Sequence, residues 1–584
     1  MITNINKRTK RQISLLFVIC SLFFSTSCDD MLETVPQGQF TAEQLSASPE
    51  SLEGLIASAY AGLEAHFIGN NEAFAGPSTN WIFDVRSDDA YKGGDGPGME
   101  ANIHLLEISE ISSNNVSGLD KWRNNYWAIV RVHKAMTILK DASSASNADQ
   151  LMGEMKALRA WFYFDLYRLF KRIPYATEDE DLTTKTNDEY SRDEIYSFIK
   201  KDLTEAIAVL PNEKDNGGHI TRPVAQAILA RVCAFGNSQG AEWNLVIENC
   251  DAIIQSGFYS LYPNFGDLSK IDHNNGAESI FALQVSTANN NAHINWSNLL
   301  NCTYSEGNLY GLGDDFFYAS QNLVNAFRTD PNTGLPYLDG TFNSVNVTLD
   351  YAGTLDPRLD YTVGRIGMPW RGHTYNENWC RAYATYGEYS NKKAWPAPEE
   401  CYNDWPWGCN ALNFMFIRYA DILLLKAEAL IETSTAANAQ PEVDTDGKLT
   451  EARALINQVR QRAANTCAED VITSYQPVDL DPFLAEYKVG LYPTDVNGNL
   501  TWNKNYARAA LRMERRLELA LEGNRWFDLM RWGNDYLIQT MNKYMQEESK
   551  LRPYYEGASV TENEIFLLVP LTEIDNSNGL YKQY

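Results

Sequence analysis

Two stretches of this 584-residue chain collect the side chains most able to bind or react. NWIFDVRSDDAYKGG, at 80–94, places Trp81, Asp84, Arg86, Asp88 and Asp89 ahead of a glycine turn. The second stretch, 296–407, holds six of the fourteen tryptophans: Trp296, Trp370, Trp379, Trp395, Trp405 and Trp407. Within it MPWRGHTYNENWCRAY adds Arg371, Asn376, Arg381 and Tyr383. Flat rings with hydrogen-bonding groups at their edges suit a concave site that makes a few specific contacts. Each candidate also has a structural reading. Asp88 and Asp89 are ordinary turn formers, Trp81 fits a core, and Cys302 of NLLNCTYSEG lies where ligand contact competes with burial.

The helix-like block RMERRLELALEGNR repeats Glu514, Glu518 and Glu522 every fourth residue beside Arg515, Arg516 and Arg525. Two carboxylates at a set separation can cleave a glycosidic bond, but this spacing is also that of helix ion pairs, which is the reading preferred here. No enzymatic activity is expected. Seven of the nine cysteines lie beyond Cys28, with no CxxC pair, and the histidines show no HExxH, so no zinc site is expected, and no residue is assigned to a metal or cofactor. Cys401 and Cys409 bracket a short tryptophan-rich loop and either bridge or stay as buried thiols.

The net charge of −27 argues against nucleic acid and anionic lipid as partners, since phosphate binding needs a basic footprint. It suits a neutral ligand. Residues 1–27 read as a signal segment: Lys7, Arg8, Lys10 and Arg11, an apolar run Ile13 to Phe24, then Ser25, Thr26 and Ser27. Cys28 follows directly and resembles the acylated cysteine of a bacterial lipobox, with Ser25 where an aliphatic residue is usual; ordinary secretion is the alternative. Several acyl chains at about 0.8 kcal/mol per buried CH₂ would anchor such a protein firmly.

The elements that must position these residues are mainly helical. From 28 to 256 the pattern comes in pairs. Trp122, Tyr126, Ile129, His133 and Met136 form one apolar stripe, which makes His133 a core histidine. The next helix, through ALRAWFYFDLYRLF, is apolar nearly all round, so Asp165 and Arg168 read as a buried pair. Ser191 and Glu194 form a capping box, Thr221 reads as a cap with Pro223 in the first turn, and Gly257 suits a left-handed C-cap. Trp122, Trp127, Trp161, Trp526 and Trp532 fall on helices and are assigned to packing. Residues 257–410 lose helical periodicity but are too rich in tryptophan to be disordered, and helices return over 411–584.

Several blocks carry a resemblance. FIRYADILLLKAEAL (416–430), ERRLELALEGNRWFDLMRWG (514–533) and LLVPLTEIDNSNGLYKQ (567–583) resemble the SusD/RagB family. ALRAWFYFDLYRLFKRIPYAT (157–177), SDDAYKGG (87–94) and TLDPRLDYTVGR (354–365) are similar to its N-terminal and middle segments. The resemblance implies a mainly α fold in which four tetratricopeptide-like hairpins flank an irregular ligand-binding part. It implies a lipoprotein of the outer membrane, surface-exposed, with Asp29 and Asp30 as an export signal. It also implies a SusC-like TonB-dependent transporter as partner and an oligosaccharide as ligand. A peptide-capturing relative and a surface glycoside hydrolase are the alternatives. Sugar C–H faces stack on rings and hydroxyls pair with Asp, Asn and Arg. The expected contact residues are therefore Trp81, Asp84, Asp88, Asp89, Trp296, Cys302, Trp370, Arg371, Trp379, Arg381 and Tyr383.

Overall fold

The computed structural model describes residues 49–64, 76–141, 147–287, 295–304, 310–402, 408–438, 444–469, 486–493 and 502–584. Cys28, the signal segment, Trp405 and Trp407 lie outside them. The chain divides into two compact units, Met1–Glu53 and Gly54–Tyr584. Of the first, only the start of the helix Pro49–Tyr60 is described.

The second unit is mainly α. Eight of its longer helices, followed later by Asn534–Glu548, are α1 (Val116–Asp141), α2 (Ala148–Leu169), α3 (Arg192–Val209), α4 (Arg222–Phe235), α5 (Trp243–Ser256), α6 (Tyr419–Thr433), α7 (Lys448–Glu469) and α8 (Lys504–Glu518). Each packs on the next in this order except that α8 touches both α6 and α7. Residues 257–410 therefore leave the stack and re-enter it, because α5 packs directly on α6.

Local chemistry sets the ends. The Ser191 hydroxyl accepts from Glu194 N–H while Glu194 accepts from Ser191 N–H, satisfying two orphan donors of α3. Gly257 caps α5 in the left-handed region at φ 69°. Thr221 precedes α4 in extended geometry, but its side chain makes no capping bond, and Pro223 occupies the first turn. Helix α2 is buried at every residue from Ala157 to Leu169, as an all-round apolar helix must be. Its Asp165 accepts from Arg168 at 2.9 Å and from Lys121 of α1 at 3.3 Å.

Two sequence expectations fail on α1. His133 is only half-buried and its Nε2 has no hydrogen-bond partner. Burial, then the nearby Arg159, holds it down to about 4, so the ring is neutral. Trp127 is half exposed rather than packed, because it lies one residue past Tyr126 and so outside the buried stripe.

Strand content is small. β1 (Ala90–Gly93) pairs antiparallel with β3 (Phe316–Ala319), and β2 (Ser279–Leu283) with β4 (Phe414–Arg418). Pro369–Trp370 and His373–Thr374 form a minimal hairpin. Its two loop residues, Arg371 and Gly372, both have positive φ, 46° and 86°, as the tightest hairpin turns require. Phe170 bridges Leu567, so the C-terminal segment returns to the end of α2.

Candidate functional site

The carboxylates of the family-like blocks are used up on one another's arginines. Arg418, where β4 runs into α6, reaches Glu278 and Glu518 at 2.6 Å each and Glu522 at 2.9 Å. Arg358 pairs with Asp356 at 2.7 Å, Glu514 at 2.8 Å and Glu518 at 2.9 Å. Arg460 reaches Glu514 at 2.9 Å, Arg462 pairs with Glu518, and Lys393 with Glu522. On the neighbouring face of α8, Arg515 bridges Asp421 at 2.8 Å and Asp528 at 2.9 Å. Burial alone would raise the Glu518 carboxyl. Arg462, Arg418, Arg358 and Lys393 overcome that and hold it well below the ordinary range. Glu514, Glu518 and Glu522 are therefore a structural ion-pair core and not a hydrolytic pair.

The same network takes the first stretch of candidates out of ligand reach, which corrects the sequence expectation. Asp88 is bidentate to Arg525, at 2.7 and 2.9 Å, and Asp89 meets Arg516 at 2.7 Å. Asp84 accepts from the N–H groups of Gly523 and Arg525 at 2.6 and 3.1 Å. Burial, then the charge of Asp89, raises its carboxyl well above the usual range. All three are buried, as is Trp81, which packs on Phe316 and Phe317 at 6.2 and 5.7 Å between ring centroids. This stretch ties residues 84–89 to Arg516, Gly523 and Arg525; it is not a platform.

The second stretch divides into a buried core and an accessible rim. Trp370 is fully buried: it stacks on Tyr375 at 5.1 Å, meets Trp379 edge-on at 5.9 Å, and donates from Nε1 to Tyr310 Oη at 2.9 Å. Cys302, Trp395 and Cys380 join this cluster. Trp370 and Cys302 are thus corrected from ligand contact to core, with the rings satisfied by other rings. Trp379 is buried too, at 7% exposure. Arg371 is half-buried and spends its guanidinium on the carbonyls of Trp395 and Lys392, at 3.0 and 3.3 Å.

What reaches solvent is Tyr383, 43% exposed, and the half-buried Arg381; Trp296 is half-buried with its Nε1 inside. Arg381 lies over the Tyr304 ring, 5.0 Å from its centroid, and pairs with Asp314 at 2.6 Å. Its backbone N–H donates to Asp315 at 2.8 Å. Burial pushes Asp315 up to about 7, against hydrogen bonds from Tyr318, the Arg381 N–H and Ser390. Tyr304 and Asp314 are the members that sequence reasoning missed. Tyr304 stands two residues after Cys302, but nothing in its surroundings separates it from other loop tyrosines.

Paired helices in chain order, with an aromatic loop-built layer clamped on by buried arginines, define a scaffold whose accessible chemistry lies in its loops. The chain belongs to the SusD family, whose profile matches residues 277–584. A profile described as starch-binding associating with outer membrane matches residues 78–234. The chain is 23% identical to "SusD-like protein P25" of Formosa agariphila, over 97% of its own length and 98% of the relative's. A SusD-like carbohydrate binding protein from Bacteroides fragilis has a similar fold, with a TM-score of 0.67 and 21% identity over 92% of this chain and 99% of that one. Surface glycan-binding protein A from Bacteroides thetaiotaomicron, solved with laminarihexaose, gives 0.64 and 19% over the same shares. No helix among the described residues is long and apolar enough to cross a membrane.

Proposed function

We propose that this protein captures oligosaccharides at the cell surface and passes them, uncleaved, to a SusC-like TonB-dependent transporter of the outer membrane. The observation that carries the reading is the outward rim of the loop-built layer. There Tyr383 offers an exposed ring, and Arg381, propped on Tyr304 and Asp314, offers fixed donors. Ring and guanidinium are the two partners that a sugar's C–H face and hydroxyls require. Family membership and a fold neighbour solved with laminarihexaose support the ligand class. Acylation at Cys28 would hold the protein on the membrane, so no spanning helix is needed. On the helical side, the half-exposed Trp127 and Val130 beside the exposed Arg131 and Lys134 provide a contact strip for the transporter.

Isothermal titration against a glycan panel that includes laminarin oligosaccharides tests the rim. One stacking ring contributes on the order of 1 kcal/mol, so Tyr383→Ala is expected to weaken binding several-fold. Its melting temperature should stay close to that of the wild type, because Tyr383 is an exposed residue outside the buried aromatic cluster. Unchanged affinity in this variant and in Arg381→Ala would place the site elsewhere.

A further inference from the structure

Three cysteines approach one another in the loop-built layer, and the backbone around them singles out a pair. Gly408 N–H donates to the Tyr402 carbonyl at 2.7 Å and Tyr402 N–H donates to the Cys409 carbonyl at 3.0 Å, with Gly408 at φ 71°. This is a β-bulge of the glycine type, with Tyr402 opposite Gly408 and Cys409. Successive side chains on a strand point to opposite faces, so Cys409 shares the face of Tyr402 and Cys401 points the other way. Cys401 is close enough to Cys409 to feel its charge, but the side chain within its hydrogen-bonding reach is that of Asn410, the residue opposite it. The register turns Cys409 away from Cys401, and Cys409 is not among the residues packed around Cys302. Cys302 takes the vacant role: it and Cys401 pack in the same cluster as Tyr310, Trp370 and Trp395. Gly408 presses on Cys302 so closely that a Cβ there would stand 2.4 Å from its Sγ.

We propose that Cys302 and Cys401 form a disulfide in the exported protein, tying the segment 295–304 to the end of the 3-10 turn Pro398–Glu400, while Cys409 remains a thiol. The proposal rests on the export reading, since disulfides persist in oxidising compartments. Cys401 is partly exposed and Cys302 fully buried, which orders the chemistry. The Cys401 thiolate attacks the disulfide of an exported thiol–disulfide oxidoreductase and expels one of its thiolates. The Cys302 thiolate then attacks the Cys401 sulfur, closing the new S–S bond and releasing the second thiolate. The two thiol protons end on the two released thiolates, and the two electrons reduce the oxidoreductase. Burial raises the Cys302 and Cys401 thiols alike above the ordinary range, so access and not acidity puts Cys401 first.

The mature protein, equilibrated in a glutathione redox buffer and alkylated, is digested without reduction and mapped by mass spectrometry. The expected result is one linkage, Cys302–Cys401, with an intact mass lower by two hydrogens. It should vanish in Cys302→Ser and Cys401→Ser and persist in Cys409→Ser. The oxidised form should melt several degrees above the reduced one, as closing a long loop restrains the unfolded chain. A Cys401–Cys409 or Cys302–Cys409 linkage, or free thiols in oxidising buffer, overturns the pairing. A linkage formed in buffer but missing from protein recovered from cells overturns the export reading beneath it and leaves the pairing intact.

Discussion

Glu518→Gln is expected to destabilise the protein by about 3–5 kcal/mol, the cost of leaving buried charges without their counterion. Glu518 is fully buried and is shared by Arg358, Arg418 and Arg462, which arrive from three different segments of the chain. Glutamine keeps the shape and mimics the protonated acid, so the loss is electrostatic and not a cavity. Its pH dependence has a definite sign. The folded carboxyl lies well below the ordinary glutamate value of 4.5. Its contribution is therefore fully present above that value and is lost as pH falls through the folded pKa. Urea melts should show the gap between wild type and variant at its full size near neutrality and shrinking at acid pH. A gap that widens on acidification would mean that Glu518 is not the counterion described here.

Trp370→Ala is expected to cost a further kind of stability, about 3–5 kcal/mol, from a cavity in the aromatic cluster of the loop-built layer. The ring is fully buried, stacked on Tyr375 and hydrogen-bonded to Tyr310, and Tyr310 in turn donates to the Pro396 carbonyl at 2.8 Å. Removing it also orphans the Tyr310 hydroxyl as an acceptor. Any fall in glycan affinity should therefore accompany a lower melting temperature, whereas Tyr383→Ala should lower affinity at constant stability. If Trp370→Ala lost affinity with an unchanged melt, Trp370 would be a ligand platform after all.

How far these sites are legible in sequence depends on the range of the forces that make them. The capping box at Ser191 and Glu194, the left-handed Gly257 and the all-round burial of α2 involve neighbours along the chain, and they follow from spacing and residue type. The family-like blocks pointed to the fold in the same way. Asp88 and Asp89 do not work so. Their arginine partners, Arg525 and Arg516, lie more than four hundred residues away, so the pair reads locally as turn formers or as ligand groups. In the tryptophan-rich region no helical period separates inside from outside, and Trp370 and Tyr383 look equally eligible until their burial is known. Trp127 shows the opposite error: helical context suggested packing, but its angular position beside Tyr126 turns it outward.

Hydrogen exchange of the mature protein, with and without a saturating oligosaccharide identified by titration, tests the central claim most directly. The account predicts slowed exchange in segments 296–304 and 379–386, around Trp296, Tyr304, Arg381 and Tyr383, and unchanged exchange along α1 and α3. Protection concentrated on those helices, with the loop rim unaffected, would contradict it.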